Sequence, residues 1–239
     1  MSLRSRIVAA RGATAAAEVA RARGGLLAVV DAQQAAGVAE AQITTTLASG
    51  AAAQGVAAVA LQGLAPRGLA CTQGCAFCCI LRGDDGGTIT EAEARGLHAA
   101  LAPLAGQADG RSWTKGACAA LDPQTRSCRA YDARPMICRT YVSTDVSACE
   151  KVAQGQAVAG PGTLGPYHTY LAALGLSRAA LKGIRRVATY SLARVTAGAI
   201  DGLDAEATLA AARHKPTELD AELRRSKRDL ERARQAGLP

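Results

Sequence analysis

Aromatic side chains are almost absent: Phe77, Trp113, Tyr131, Tyr141, Tyr167, Tyr170 and Tyr190 are the only seven in 239 residues. None of them alternates with basic residues, which excludes the stacking platforms on which single-stranded nucleic acid lies. Long apolar runs are missing too. Nothing approaches the roughly 18 consecutive apolar residues that a membrane-spanning helix needs. The sequence has no phosphate-cradling glycine loop, no dinucleotide-binding fingerprint in strand context and no Ser/His/Asp arrangement. Arg4, Arg6, Arg11, Arg21 and Arg23 interrupt the N-terminal stretch, so it holds no apolar core of signal-peptide length and a cytoplasmic chain is expected. An Arg-rich, acid-poor start also suits an organellar transit peptide, but alanine and arginine richness runs through the whole chain.

What is present is alanine, within a composition that is 49% hydrophobic and 20% charged. That balance fits a globular protein, and alanine favours helix over strand. The expected fold class is mainly α with a thin core. The formal net charge of +8 is uneven: residues 1–70 carry six basic and three acidic side chains, 71–150 eight and nine, 151–239 fourteen and eight. A basic excess can meet nucleic acid or an acidic partner. Without a compact Lys/Arg block it reads as solvated surface, and nucleic acid is not the expected partner.

Three segments follow. Residues 1–66 read as an N-terminal Ala-rich helical segment, with helices from Ser5 to Gln34 and from Val38 to Leu64. Gly24, Gly25, Gly37, Gly50 and Gly55 weaken them. Pro66-Arg67-Gly68 opens a second segment, residues 67–150. In it Asp84-Asp85-Gly86-Gly87 reads as a turn, and Thr90 with Glu93 as a capping box starting a helix at Glu91 that Pro103 limits after Leu101. Residues 151–239 should form C-terminal helices packing on the middle segment. A short one runs from Tyr167 to Leu174, and a longer one is capped by Ser177 and runs through Ile200. The last begins near Thr217, with Asp220/Arg224 and Lys227/Glu231 as charge pairs. Its stripe of Leu219, Leu223, Ser226, Leu230 and Ala233 packs either on the body or on a second copy of the chain.

Eight cysteines dominate the middle segment: Cys71, Cys75, Cys78, Cys79, Cys118, Cys128, Cys138 and Cys149. An even count invites a disulfide framework. Clustered cysteines in a chain without a secretion signal instead suggest a metal site. Thiolates hold zinc and iron–sulfur clusters, and short spacings bring several to one centre at small loop-closure cost. Cys71-x3-Cys75-x2-Cys78 has such spacing, with Gly74 where the chain must turn. Adjacent side chains tend to diverge, so Cys78 and Cys79 serve either two metals or two sides of one cluster.

The run Cys71-x3-Cys75-x2-Cys78-Cys79, then Gly116-x-Cys118-x-x-Leu121, then Cys128-x-x-Tyr131-x-x-Arg134-Pro135-x-x-Cys138-Arg139-x-Tyr141 resembles the YkgJ-type cysteine-cluster family. Members are described as zinc- or iron-chelating, with a CxxCxxCC signature and about eight cysteines. The resemblance covers residues 71 to about 149. It departs from the signature at the first gap, three residues long, and Cys149 falls at the family's last cysteine position within a looser context. The resemblance implies metal binding and no settled reaction. A related cluster in the flagellin lysine methylases implies one enzymatic use.

Arg134 and Arg139 carry permanent charge that would offset a thiolate-rich centre and donate hydrogen bonds to sulfur. Tyr131, Tyr141 and Trp113 are expected to pack beside the metal. His98, His168 and His214 are spare candidate ligands, and Asp84, Asp85, Glu91 and Glu93 read as a solvated turn and a helix start. Cys71-x3-Cys75-x-Phe77-Cys78 also matches the spacing of radical S-adenosylmethionine enzymes, whose fold needs alternating strands and helices after the motif. Three function classes stand. One is a protein binding zinc or an iron–sulfur cluster. Another is an iron–sulfur-dependent oxidoreductase or S-adenosylmethionine-dependent protein methyltransferase. The third is an interaction scaffold with structural zinc. The expected partner is an unidentified protein or small molecule.

Overall fold

The computed structural model describes residues 1–64, 66–81 and 85–235. Among them are eleven α-helices and four strands of only two or three residues, so the fold is mainly α. Asp84 lies outside the described residues. The chain divides into two units: residues 1–63, 165–189 and 214–239 form one, and 64–164 with 190–213 form the other.

The first unit is helical: α1 (Leu3–Ala9), α2 (Ala16–Ala35), α3 (Glu40–Ala48), α4 (Ala51–Gln62), α8 (Gly165–Ala180) and α11 (Pro216–Gln235). Its centre is α8, which packs against α1, α2, α3, α4 and α11 and buries most of its length, including Tyr170, Leu171, Leu174 and Leu176. The long helix expected from Ser5 breaks at Arg11–Ala15. The one expected from Val38 breaks where Gly50 turns left-handed, at φ 81°. Among the described residues no single helix is long and apolar enough to cross a membrane; α3 and α4 together would be, but they are bent by 67°.

The C-terminal part departs further from the periodicity. Gly175 lies inside α8 instead of ending a helix, since the buried face continues through it to Ala180. Ser177 therefore caps nothing, and its buried hydroxyl has no hydrogen-bond partner among the described residues. The true cap is Ser191, whose Oγ accepts from the Arg194 N–H at 3.2 Å to start α9 (Leu192–Ile200). Between them Gly183, at φ 80°, forms a turn, and the β-prone Thr189–Ser191 becomes a strand. In α11, Asp220 pairs with Arg178 of α8 and not with Arg224, because it faces α8 across the buried Leu219 and Leu223. Lys227 and Glu231 do approach, at 4.0 Å.

Apart from the Ser177 hydroxyl and Gln33 Oε1, the buried polar side chains of this unit are partnered among the described residues. Glu18 accepts from the Thr169 hydroxyl at 2.6 Å and pairs with Arg21. Glu222 accepts from the Tyr167 hydroxyl at 2.9 Å, and His168 Nδ1 meets Ser226 Oγ at 2.9 Å. Burial holds the His168 pKa below its ordinary value.

The second unit combines loops with α5 (Glu91–Leu101), α6 (Met136–Thr140), α7 (Val146–Ala153), α9 and α10 (Ala205–Ala212). Helix α5 packs on α9 and α10, burying Leu97 and Leu101, and ends at a 3-10 turn containing Pro103. Strand β1 (Thr88–Thr90) pairs with β4 (Thr189–Ser191), and β2 (Tyr141–Val142) pairs antiparallel with β3 (Gly162–Thr163). Those ribbons do not make the run of strands and helices that the radical S-adenosylmethionine fold requires.

Two neighbouring glycines in α2 should respond oppositely to the same change. A Cβ on exposed Gly24 would meet nothing within 4 Å, so Gly24→Ala should stabilise by about 1 kcal/mol through helix propensity. A Cβ on Gly25 would stand 2.6 Å from Val56 Cγ1 of α4, so Gly25→Ala should destabilise by roughly 1–3 kcal/mol through overpacking. Chemical unfolding of the two variants checks the pair; equal signs would contradict this packing.

Candidate metal centre

All eight cysteines lie in the second unit, and all are free thiols. Backbone pairing, with very little regular sheet, draws them together. Gly74 turns left-handed at φ 80°, and a Cβ there would stand 3.2 Å from the Thr125 carbonyl oxygen, so the tight turn expected before Cys75 is real. A 3-10 turn, Phe77–Cys79, carries the adjacent pair and sets Cys78 Sγ 4.0 Å from Cys79 Sγ. The sulfurs thus stand side by side, closer than the divergence expected of neighbouring side chains.

From that turn the chain pairs with the Gly116 region. Leu81 N–H donates to the Gly116 carbonyl at 2.7 Å, and Cys118 N–H to the Cys79 carbonyl at 2.8 Å. A hairpin-like turn then returns Cys128 to Cys118, with Leu121 bridged to Cys128 and Arg129 N–H donating to the Ala120 carbonyl at 2.8 Å. Asp122 accepts from Thr125 N–H at 2.7 Å and Gln124 N–H at 3.1 Å inside that turn, while Arg126 takes a left-handed conformation at φ 58°.

Cys138 rides on α6, which α5 holds directly. Glu93 completes the expected capping box: its Oε2 accepts from Thr90 N–H at 2.9 Å and from the Thr90 hydroxyl at 3.0 Å. Its other oxygen, Oε1, accepts from Met136 N–H at 2.7 Å, the first residue of α6. The sequence signals the first role and conceals the second. Cys149 sits on α7, which Asp145 caps by accepting from Ser147 N–H at 2.8 Å. Ser143, just before α7, accepts from Ala70 N–H at 2.9 Å and from the Cys71 thiol at 3.8 Å through its carbonyl, joining the first cysteine to the last.

Backbone contacts group the thiols into two neighbourhoods: Ser143 joins Cys71 to the start of the Cys149 helix, and Cys118 pairs with Cys79 and turns back to Cys128. Burial raises the Cys149 thiol, and the charges of Cys75, Cys71 and Cys78 raise it further. Cys118, which is buried, is pushed up to about 11 by burial, with Cys128 adding to it. Burial also raises Cys138, with Cys118, Cys128 and Cys78 as neighbours. The shared hydrogen bond raises Cys79 and lowers Cys78; Cys118 and Cys138 add to the first shift. One neighbourhood is therefore Cys71, Cys75 and Cys149; the other is Cys79, Cys118, Cys128 and Cys138. Cys78 interacts with both.

The donor set suits a thiophilic metal, since it consists of unoxidised sulfur. Among the described residues no three Cys, His, Asp or Glu side chains stand close enough to hold an ion as they are oriented. Arg134 lies near Cys78 and Cys128; burial raises the Cys128 thiol and the arginine's charge partly opposes that rise, while its guanidinium donates to the Tyr131 carbonyl at 3.1 Å. Arg139 is exposed. Tyr131 does not pack in the core. It is 61% exposed, with the Arg134 guanidinium 3.6 Å above its ring, so it steers the arginine from outside. Tyr141 is half-buried beside Cys149 and Cys78, and Trp113 lies under Arg126, 5.6 Å away.

The spare candidates are engaged elsewhere. His98 Nε2 meets the Leu203 carbonyl at 2.8 Å, while His168 and His214 belong to the unit without cysteines. Glu91 pairs with Arg95 at 3.0 Å, and the Asp85 carbonyl accepts from Ser191 Oγ at 2.9 Å.

Gly110 was invisible as a site residue, because no motif includes it. A Cβ there would run into the Cys118 carbonyl oxygen and stand 2.9 Å from Leu121 Cβ. Backbone cannot yield as a side-chain tip can. Gly110→Ala should therefore destabilise the cysteine unit by roughly 2–3 kcal/mol and raise the alkylation rate of Cys118. Unfolding curves and iodoacetamide labelling followed by mass spectrometry would check both; unchanged values would show that the approach is looser than described.

No curated protein and no solved structure matches the chain. A family model does: residues 70–156, which hold all eight cysteines, match CxxCxxCC, a "putative zinc- or iron-chelating domain", and this supports metal binding by that segment.

Proposed function

We propose that the cysteine unit is a metal-binding module with two four-thiolate centres, for zinc or for the iron of iron–sulfur clusters. Cys79, Cys118, Cys128 and Cys138 serve one centre; Cys71, Cys75, Cys78 and Cys149 serve the other. The observation that carries the reading is that backbone contacts gather eight free thiols in one unit from two sides, Cys118 paired with Cys79 and turned back to Cys128, and Cys71 joined through Ser143 to the start of the helix that bears Cys149. Cys79 goes with the second neighbourhood, whose Cys118 its own backbone binds. Cys78 then completes the first. Bound metal supplies the negative-charge compensation that neighbouring thiolates need, and Arg134 supplies part of the remainder beside Cys78 and Cys128.

Elemental analysis of anaerobically purified protein tests the proposal. About two equivalents of zinc without colour, or iron and sulfide with broad absorption near 400 nm, would support it. Metal-free protein with four disulfides would overturn it. Substitution tests the division. Cys75→Ser and Cys138→Ser should each remove one centre and leave the other, whereas loss of all metal from both would mean a single centre. The depleted protein should unfold first in residues 71–149, because metal-binding free energy there becomes folding free energy. Arg134→Gln should keep the stoichiometry and weaken affinity by roughly 10- to 100-fold.

The direction of the thiol shifts sets the pH dependence. Cys118, Cys128, Cys138 and Cys149 are raised above 9.0, so at pH 7 the metal must displace their protons. Affinity should then fall as pH falls, by about tenfold per pH unit for each proton displaced. Competition with a chromophoric chelator between pH 6 and 8 measures the slope; a flat profile would show that these thiols are not ligands.

A further inference from the structure

The first unit contains a cleft of about 620 Å³, within the roughly 300–1,000 Å³ range of small-molecule sites. Three stretches far apart in sequence build it: the α1–α2 connection, the end of α8 with the segment after it, and the start of α11. Six basic side chains line it, Arg11, Arg178, Lys182, Arg185, Arg186 and Lys215, and no carboxylate among the described residues does. The basic surplus that looked diffuse along the sequence is therefore concentrated in space.

Ordinary structural duties account for only two of the six. Arg178 pairs with Asp220 and donates to the Pro216 carbonyl at 3.2 Å, and Arg185 donates to Thr45 Oγ1 at 2.7 Å. Arg11, Lys182, Arg186 and Lys215 are exposed and form no ion pair among the described residues. They are not needed at the α8 C-terminus either, because Arg6 already donates to the Ala180 and Lys182 carbonyls. Beneath the cations the lining is apolar, with Leu219, Leu223 and Val187 buried and Ile184 57% exposed. Gly175 lacks the side chain that would crowd Leu223, to which a Cβ would stand at 3.3 Å. No Phe, Tyr or Trp ring lines the cleft to stack a base; its one imidazole, His214, sits beside the Thr189 hydroxyl.

We propose that this cleft binds a small amphipathic anion, with a phosphate or carboxylate among Arg11, Lys182, Arg186 and Lys215 and an apolar body over Leu219 and Leu223. Uncompensated cations around a concave apolar floor favour such a ligand, because burying the apolar part displaces water while the head group meets charge at the rim. A flat, solvated basic surface would bind anions without regard to their apolar part. The cleft contains no cysteine, so the inference does not depend on the metal proposal.

Calorimetric titration of the full-length, metal-loaded protein tests it, with octyl phosphate, inorganic phosphate and a 20-nucleotide oligothymidylate as probes. Octyl phosphate should bind one-to-one, at least tenfold more tightly than inorganic phosphate. Arg186→Glu and Lys215→Glu should each weaken it by tenfold or more. Ala179→Phe, which fills the cleft from an exposed helix position without changing charge, should do the same. Arg224→Glu and Arg228→Glu, outside the lining, should change binding less than twofold. These substitutions lie on the surface, and melting curves confirm that each variant folds. Equal affinity for inorganic and octyl phosphate would overturn the proposal. So would equal losses from the control variants, which would mean a general field effect, or an oligothymidylate that binds more tightly and is unaffected by Ala179→Phe.

Discussion

The buried carboxylate of Glu93 joins two parts of the cysteine unit that sequence keeps 43 residues apart. One oxygen closes the cap of α5, the only long helix among those framing the cysteines, and the other takes the first N–H of α6. A helix of five residues has little stability of its own, since nucleation dominates at that length. Helix α6 exists because Pro135 presets its entry and Glu93 satisfies its first donor. Cys138 is thereby held against a rigid body, and Cys149 rides on α7, while Cys71, Cys75, Cys118 and Cys128 lie on loops and Cys78 and Cys79 on a 3-10 turn. A buried carboxylate without donors would be costly, and hydrogen bonds from the Thr90 N–H, the Thr90 hydroxyl and the Met136 N–H offset that cost.

The remaining cysteine positions depend on isolated backbone bonds: Cys118 to Cys79, Arg129 to Ala120, Ala70 to Ser143. Such contacts bury little apolar area, and the unit's aromatic contribution is small. Alanine and cysteine cannot replace it, because each buries only a short side chain. A segment so built needs a further source of cohesion. Metal–thiolate bonds would provide it, which makes the thin core and the cysteine density two aspects of one design under the metal-binding reading.

Legibility tracked the range of the interaction involved. The Thr90–Glu93 box, the Gly74 turn and the cysteine run depend on residues within a few positions of one another, and each was readable. The last helix, expected near Thr217, was readable too, but the one expected from Ser177 through Ile200 was not, because a stripe from Leu181 to Ala199 continues in register across a break at Gly183 that periodicity cannot detect. Ser177 and Ser191 look equally good as caps; only burial inside α8 disqualifies the first. Tyr131 was expected in the core on hydrophobicity, yet the Arg134 guanidinium claimed its ring. Gly110 and the second bond of Glu93 are close approaches between distant segments, and no local pattern encodes them.

The same reasoning applies to charge. Arg11, Arg186 and Lys215 sit in three stretches whose composition differs little from their surroundings, and each taken singly is a solvated surface residue. Their meaning comes from α8, which draws the α1–α2 connection and α11 to one end of a helix whose own carbonyls Arg6 has already satisfied. Like charges gathered around a concave apolar floor repel one another, by about 1 kcal/mol per pair at 4 Å in water and more where water is thin. A fold that tolerates this repulsion without a single lining carboxylate, although Asp220 stands within reach of Arg178, keeps a positive potential that an anion would relieve.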